Sequence, residues 1–292
     1  MLSRTELKAV LRARGLRLTK RLGQNILIHR GVRDRLVEAM ALRPDDFVVE
    51  IGAGTGALTE ALAARVAHVV AFEIDRGIEA FLREELADVT NVEVRGQDFL
   101  DADLRELAER AGAPDERLVI AGNLPYSITT PVITRVLESG VPFRAAYFTI
   151  QREVVQRLLA APGTRERGAI SYLVEYHAEA RRLLKVQPSA FEPAPKVESA
   201  LIGLVRRERP PVAPRDPALM FAVIRAAFGA RRKALKNALR RLEWDLLSDD
   251  ETSAAIHACG LAPTCRAEQL TLQQFADLSD ALGRSAAGRG NP

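Results

Sequence analysis

The stretch FVVEIGAGTGALTEALAARVAHVVAFEID, residues 47–75, decides how the chain folds. It opens on FVVEIG (47–52), an apolar run rich in β-branched residues that is too short for a helix and bounded by glycine; this is the pattern of a buried strand. Gly52, Gly54 and Gly56 follow, ALTEALAARV (57–66) switches to helical spacing, and HVVAFEID (68–75) returns to strand character. Strand, glycine turn, helix and strand in succession form one unit of a parallel sheet. Glycines at this place permit a tight turn and let a ligand approach the backbone beside a helix N-terminus. Gly52, Gly54 and Ala57 also satisfy the dinucleotide fingerprint G-x-G-x-x-A. The turn alone therefore leaves the ligand open between a nicotinamide dinucleotide and S-adenosylmethionine (SAM).

Working outward, VEVRGQD (92–98), LVIAGN (118–123) and AAYFTIQ (145–151) repeat the buried-strand pattern, separated by helical segments such as PVITRVLES (131–139). This alternation predicts a doubly wound α/β domain. YLVEYHAEARRLLKV (172–186) and SALIGLVRR (199–207) read as two longer strands flanking the proline-rich loop QPSAFEPAPKVE (187–198). RRERPPVAPRDPA (206–218) reads as a linker, and the pattern beyond it is helical to about residue 283, followed by a tail without structure. The expected division is 1–207, 208–283 and a disordered tail 284–292. The chain contains no internal repeats.

The strand ends separate the two ligands. Glu73 ends the second strand, where a carboxylate accepts from both ribose hydroxyls, which suits either one. Asp98 ends the third strand, placed to accept from an adenine amino group, and Asn123 ends the fourth. Ligands of open α/β sheets bind outside the carboxyl ends of the strands, so these three side chains line one crevice. A nicotinamide domain has no use for Asn-Leu-Pro-Tyr after strand four, and no hydride-transfer acid or substrate arginine pattern appears. SAM is the better ligand.

Composition sets the remaining limits. The chain has 292 residues, is 47% hydrophobic and 27% charged, and holds two cysteines and four histidines. Cys259 and Cys265 are too few for a disulfide framework, and His29, His68, His177 and His257 fall in no metal-ligand spacing. No apolar stretch is long enough to span a membrane. The N-terminus is arginine-rich and acid-poor like a transit leader, but motif residues begin by Gly23 and leave little room for one. A reduced, cytoplasmic, monomeric protein without metal is expected. The net charge of +4 conceals an asymmetry: residues 1–35 carry ten Lys/Arg against two Asp/Glu, and residues 201–245 carry eleven against four. Two basic patches on an otherwise acidic body point to a polyanion, with nucleic acid favoured over a pair of solvated helix faces.

KRLGQNIL (20–27), EIGAGTGALT (50–59), GNLPY (122–126), PSAFEPAPKVESA (188–200), FGARRKALKNAL (228–239) and RAEQL (266–270) together resemble, in order, the motifs of the ribosomal RNA adenine dimethylases. The resemblance covers nearly the whole chain and lies nearest the bacterial small-subunit type. It implies a class I SAM-dependent methyltransferase domain, Rossmann-like with a mostly parallel seven-stranded sheet, plus a small all-helical C-terminal domain that binds RNA. By motif, Asn25 and Leu27 close over the cofactor, Gly52 approaches its amino-acid part, Glu73 its ribose and Asp98 its adenine, while Asn123 links cofactor and substrate sites. Ile26 stands where the family usually has Phe, Ala53 where Pro is frequent, and Glu198 where Asp is common. The implied substrate is a pair of adjacent adenines in a 3′-terminal hairpin loop of 16S rRNA in the small ribosomal subunit. Two other implied readings remain: an assembly checkpoint acting mainly by binding, and a large-subunit methylase of the macrolide-resistance type.

Methylating adenine N6 demands that a poor nucleophile, its lone pair delocalised into the ring, attack in line. Two acceptors aimed at its N–H groups favour this: the Asn123 side-chain oxygen and the Leu124 carbonyl. Pro125 restricts the backbone on both sides of its own peptide bond. Tyr126 offers a face for an extruded base, worth about 1–3 kcal/mol, and Phe191 is placed to cover the other face. Pro188, Pro193 and Pro195 stiffen that loop, and Lys196 is within reach of a phosphate. Base extrusion favours loops or single strands as substrate. Arg232, Lys236 and Arg240 fall on one face of a predicted helix, widened by Arg231 and Lys233, over a seam of Leu235, Leu239 and Leu242. This is the candidate phosphate-binding stripe.

Overall fold

The computed structural model describes residues 1–16, 24–230, 233–240 and 248–287. Its contacts divide the chain into two compact units, residues 1–155 with 179–206, and residues 156–178 with 207–292.

The first unit is built on seven strands: β1 (Phe47–Ile51), β2 (His68–Phe72), β3 (Val92–Arg95), β4 (Leu118–Asn123), β5 (Ala145–Gln151), β6 (Ala178–Val186) and β7 (Ser199–Arg206). They lie in the order β3-β2-β1-β4-β5-β7-β6. The first five run parallel and β7 runs antiparallel to β5. The order reverses at β1, so the carboxyl ends of β1 and β4 open a crevice at the switch point. This is the class I methyltransferase fold. Val48, Val69, Val119 and Ala145 from four strands pack with Leu36, Leu58 and Leu62 in one buried cluster. A second, two-stranded sheet pairs Ile26–Leu27 with Phe191–Glu192, Leu27 opposite Phe191, and ties the N-terminal segment to the proline-rich loop.

Gly122, next to last in β4, is required by close approach. A Cβ there would stand 2.5 Å from the Ile51 carbonyl oxygen, which is backbone and cannot turn aside. Gly122→Ala is expected to lower stability by about 1–3 kcal/mol, read as a lower urea midpoint with an unchanged slope; an unaltered midpoint would refute it.

Two expectations are corrected. Residues 172–177, read as the start of a long strand, belong to a helix, Ala169–His177, and the strand begins only at Ala178. The aromatic and β-branched residues that suggested a strand form the core of the second unit instead. The Tyr172 hydroxyl donates to the carbonyls of Ala267 (3.1 Å) and Leu270 (2.7 Å). Its ring packs edge-on against Phe275, with the Arg167 guanidinium 4.0 Å from its centroid. Tertiary burial overrides local propensity here. Consequently residues 156–178, placed by sequence in the first domain, group with the C-terminal helices. Secondly, the last helix, Leu272–Ala287, runs past residue 283, where a tail was expected to begin. Gly283 lies within that helix at a packing position: a Cβ there would lie 3.2 Å from Leu219 Cδ2 on the helix Pro217–Gly229.

The basic stripe is only partly visible. Arg231, Arg232 and Leu242 lie outside the described residues. The described helix is short, Leu235–Leu239, with Leu235 and Leu239 buried as expected. Lys233 is exposed and Lys236 half-buried. Arg240 is engaged by Asp249, its Nε donating to Oδ1 at 2.9 Å. Among the described residues no helix is long and apolar enough to cross a membrane.

Candidate active site

One cavity of the first unit opens at the carboxyl ends of β1 to β4. It brings together Asn25, Leu27, Gly52, Glu73, Asp98, Asn123, Leu124, Pro125, Tyr126 and Phe191. Every site residue expected from that unit therefore shares one wall or another. Lys233, Lys236 and Arg240 belong to the other unit.

The glycine turn is held before any ligand arrives. Gly52 and Ala53 both donate N–H to the Phe72 carbonyl, at 2.9 and 3.0 Å. Gly52 and Gly54 sit at φ of 72° and 58°, a region that L side chains rarely adopt. Glu73, 5% exposed, accepts from Gly54 N–H through one oxygen and from Asp75 N–H through the other, each at 2.9 Å. Burial pushes its carboxyl above the usual range, and these N–H bonds oppose the shift. Each oxygen keeps a lone pair for a vicinal diol. Asp98 caps the turn Phe99–Asp101, accepting from Leu100 N–H at 2.9 Å through one oxygen.

At β4, the Asn123 amide donates to the Asn25 carbonyl at 2.8 Å. That contact orients the amide, and among the described residues its oxygen has no donor. Leu124 N–H is taken by the Thr149 carbonyl. The Pro125 carbonyl accepts from Ile128 N–H and from the Thr129 hydroxyl. The Leu124 carbonyl between them has no donor among the described residues. Two adjacent acceptors thus stand open at the strand end, held by partners on either side. Tyr126 is half-buried and its hydroxyl shares a 3.1 Å hydrogen bond with Ser199; burial raises its pKa. Phe191 is 1% exposed and belongs to the core cluster as well as to the cavity wall.

Three residues of this site went unassigned in the sequence reading. Glu50 lines the cavity at 1% exposure, and its Oε2 has no hydrogen-bond partner. Burial pushes its carboxyl up to about 7, with the neighbouring Glu73 charge adding to the effect. A lone acid in the apolar run FVVEI was a legible signal. Ile74 stays 49% exposed in the cavity, an apolar face between Glu73 and Asp75. Ser199, 2% exposed, is the partner of Tyr126; nothing in its local sequence announces that role.

The donor set fits SAM: a buried carboxylate with one oxygen unpartnered for an ammonium group, backbone close enough for the amino-acid part, a diol acceptor, an apolar plate and Asp98 for the adenine. Among the described residues no group of three His, Cys, Asp or Glu could hold a metal ion. The sequence pattern of the ribosomal RNA adenine dimethylase family matches residues 15–283. The chain belongs to that family. A curated relative from Geobacter metallireducens, named ribosomal RNA small subunit methyltransferase A, is 40% identical over 272 residues, covering 93% of this chain and 98% of its own. Among solved structures, the 23S rRNA methyltransferase ErmE aligns with a TM-score of 0.62 at 27% identity, over 89% of this chain and 100% of its own. A dimethyladenosine transferase from Plasmodium falciparum has the same fold, with a TM-score of 0.70 at 22% identity over 89% of this chain and 98% of its own. Family membership makes SAM, rather than a nicotinamide dinucleotide, the cofactor of this chain.

Proposed function

We propose that the chain transfers methyl groups from SAM to N6 of two adjacent adenines in a 3′-terminal hairpin loop of small-subunit rRNA. The products are N6,N6-dimethyladenosines, made during small-subunit biogenesis in the bacterial cytoplasm by a monomeric enzyme. The observation that carries this reading is the pair of open acceptors, Asn123 Oδ1 and the Leu124 carbonyl, beside a half-buried tyrosine. SAM supplies the methyl group from its sulfonium. Glu50, Gly52, Glu73, Ile74 and Asp98 hold the cofactor, with Asn25 and Leu27 closing that side. Asn123 and Leu124 accept the two N–H groups of the exocyclic amine and favour the pyramidal geometry its lone pair needs for attack. Tyr126 carries the extruded base, with Phe191 forming part of the opposite wall. No strong general base is needed, because the amine proton becomes acidic once the new C–N bond forms.

The 40% identity to a relative named for the small subunit, spread over nearly the full chain, favours that substrate over the large subunit. The test combines purified protein, labelled SAM and unmethylated small subunits, followed by digestion to nucleosides and mass spectrometry. N6,N6-dimethyladenosine from those particles supports the reading. Label confined to large-subunit RNA would overturn the substrate, and tight particle binding without methylation would leave an assembly factor.

Lys233 and Lys236, with Arg231 and Arg232, are the proposed phosphate contacts of the C-terminal unit. Reversing both lysines to Glu should weaken particle binding and flatten its salt dependence by about 1–2 units of log–log slope. Arg240→Ala should do less, since Asp249 already neutralises it. A filter-binding series between 50 and 300 mM salt (about the range over which such contacts are screened) reads both; an unchanged slope in the double reversal would remove the stripe from the interface.

A further inference from the structure

The Tyr126 ring is useful to an extruded base only if its plane is fixed, and one polar contact bears on that plane. The Tyr126 hydroxyl meets Ser199 Oγ at 3.1 Å, across 73 residues of chain. Ser199 is 2% exposed and opens β7, where it pairs with Gln151 at the end of β5. The residue before it is clamped. Glu198 accepts from Arg152 Nη1 at 2.7 Å and from Gln187 Nε2 at 3.0 Å, while its carbonyl accepts from Arg152 N–H at 3.0 Å. Gln187 leads into the short turn Pro188–Ala190 and then Phe191. The Glu198 clamp thus joins the two ends of the loop that carries one ring, immediately beside the serine that holds the other.

We propose that Ser199 is a positioning residue for methyl transfer: it sets the plane of the Tyr126 ring, and the Glu198 clamp sets Ser199. Exposed ion pairs such as Arg152–Glu198 add little to stability, so this arrangement matters for geometry rather than for folding. The proposal rests on the adenine-methylation reading above. It predicts that losing the hydroxyl at either end costs the same thing.

The experiment measures methylation of unmethylated small subunits by the full chain, with kcat and KM for SAM and for particles determined separately. Ser199→Ala and Tyr126→Phe, which keeps the ring, should each lower kcat by about tenfold, short of the hundredfold that a full ångström of misplacement can bring. KM for SAM and the melting temperature should stay at wild-type values. The double variant should be no slower than either single one, because both remove one bond. Glu198→Ala should slow turnover in the same direction, and Glu198→Asp should restore most of it. Wild-type kcat in Ser199→Ala, additive losses in the double variant, or a kcat loss that tracks a fall in melting temperature would each overturn the proposal. A wild-type protein that methylates no adenine would instead overturn the function it rests on, and the proposal with it.

Discussion

Asn123→Ala should lower the single-turnover rate of methyl transfer by two to three orders of magnitude, roughly 3–4 kcal/mol of lost transition-state stabilisation, with SAM affinity falling far less. The amide is pinned by its N–H bond to the Asn25 carbonyl, leaving its oxygen open beside the open Leu124 carbonyl. Alanine deletes one of two acceptors whose value is greatest when charge develops on the amine, so the loss appears in the rate constant. Asn123→Asp is a sharper control. It keeps an acceptor but turns a carboxylate toward the Asn25 carbonyl, so the side chain loses the partner that aims it, and the rate should stay low. Rapid-quench transfer of labelled methyl to small subunits gives the rate, and calorimetry gives SAM affinity. A rate for Asn123→Ala within a few-fold of wild type would remove this residue from the chemistry.

The second large effect concerns Glu50. Burial chiefly pushes its carboxyl up to about 7; the residue lines the cavity, and one of its buried oxygens has no hydrogen-bond partner. On the proposed reading SAM brings its cationic ammonium group to that region, which favours the ionised form. Below about 7, binding must therefore release a proton, and the dissociation constant should tighten with rising pH, by at most about tenfold per unit, then level off. Calorimetry in two buffers of different ionisation heat counts the proton directly. Glu50→Gln should bind SAM weakly and show no such pH dependence.

The same shift has an opposite sign for folding. The folded pKa lies above the unfolded value, so the stabilising share of Glu50 is complete below about 4.5 and lost as pH rises through about 7. Without ligand, Glu50→Gln should melt higher than wild type at pH 8, by an amount worth at most about 3 kcal/mol, and by much less at pH 5. Equal melting at pH 8 together with unchanged SAM affinity would show that the carboxylate carries no such burden.

Much of the site was legible because its residues sit at strand ends, and strand ends are local features. Glu73 and Asn123 each terminate an apolar run, Asp98 follows the third strand at three residues' distance as the cap of a turn rather than at its end, and the switch-point rule converts those three positions into one crevice. The same local logic located the glycine turn and the linker before Pro217, where Asp216 caps the helix by accepting from Ala218 and Leu219 N–H. It failed where burial by distant partners outweighed local pattern. Tyr172 and its neighbours have the composition of a strand, and only the carbonyls of Ala267 and Leu270 and the ring of Phe275 make a helix the better place to bury them. The last helix runs past residue 283 because Gly283 packs close to Leu219.

By itself, then, the sequence determined the α/β order, the end of the sheet at which the cavity opens and the Asn-Leu-Pro-Tyr run in its wall, since periodicity, turn residues and strand ends are set by near neighbours. Only the tertiary structure decided which acceptors are open, that Glu50 is buried with one oxygen unpartnered, and that Ser199 bonds Tyr126. Those properties depend on hydrogen bonds closed across 98 and 73 residues of chain and on exclusion of water, and neither is encoded in any local run.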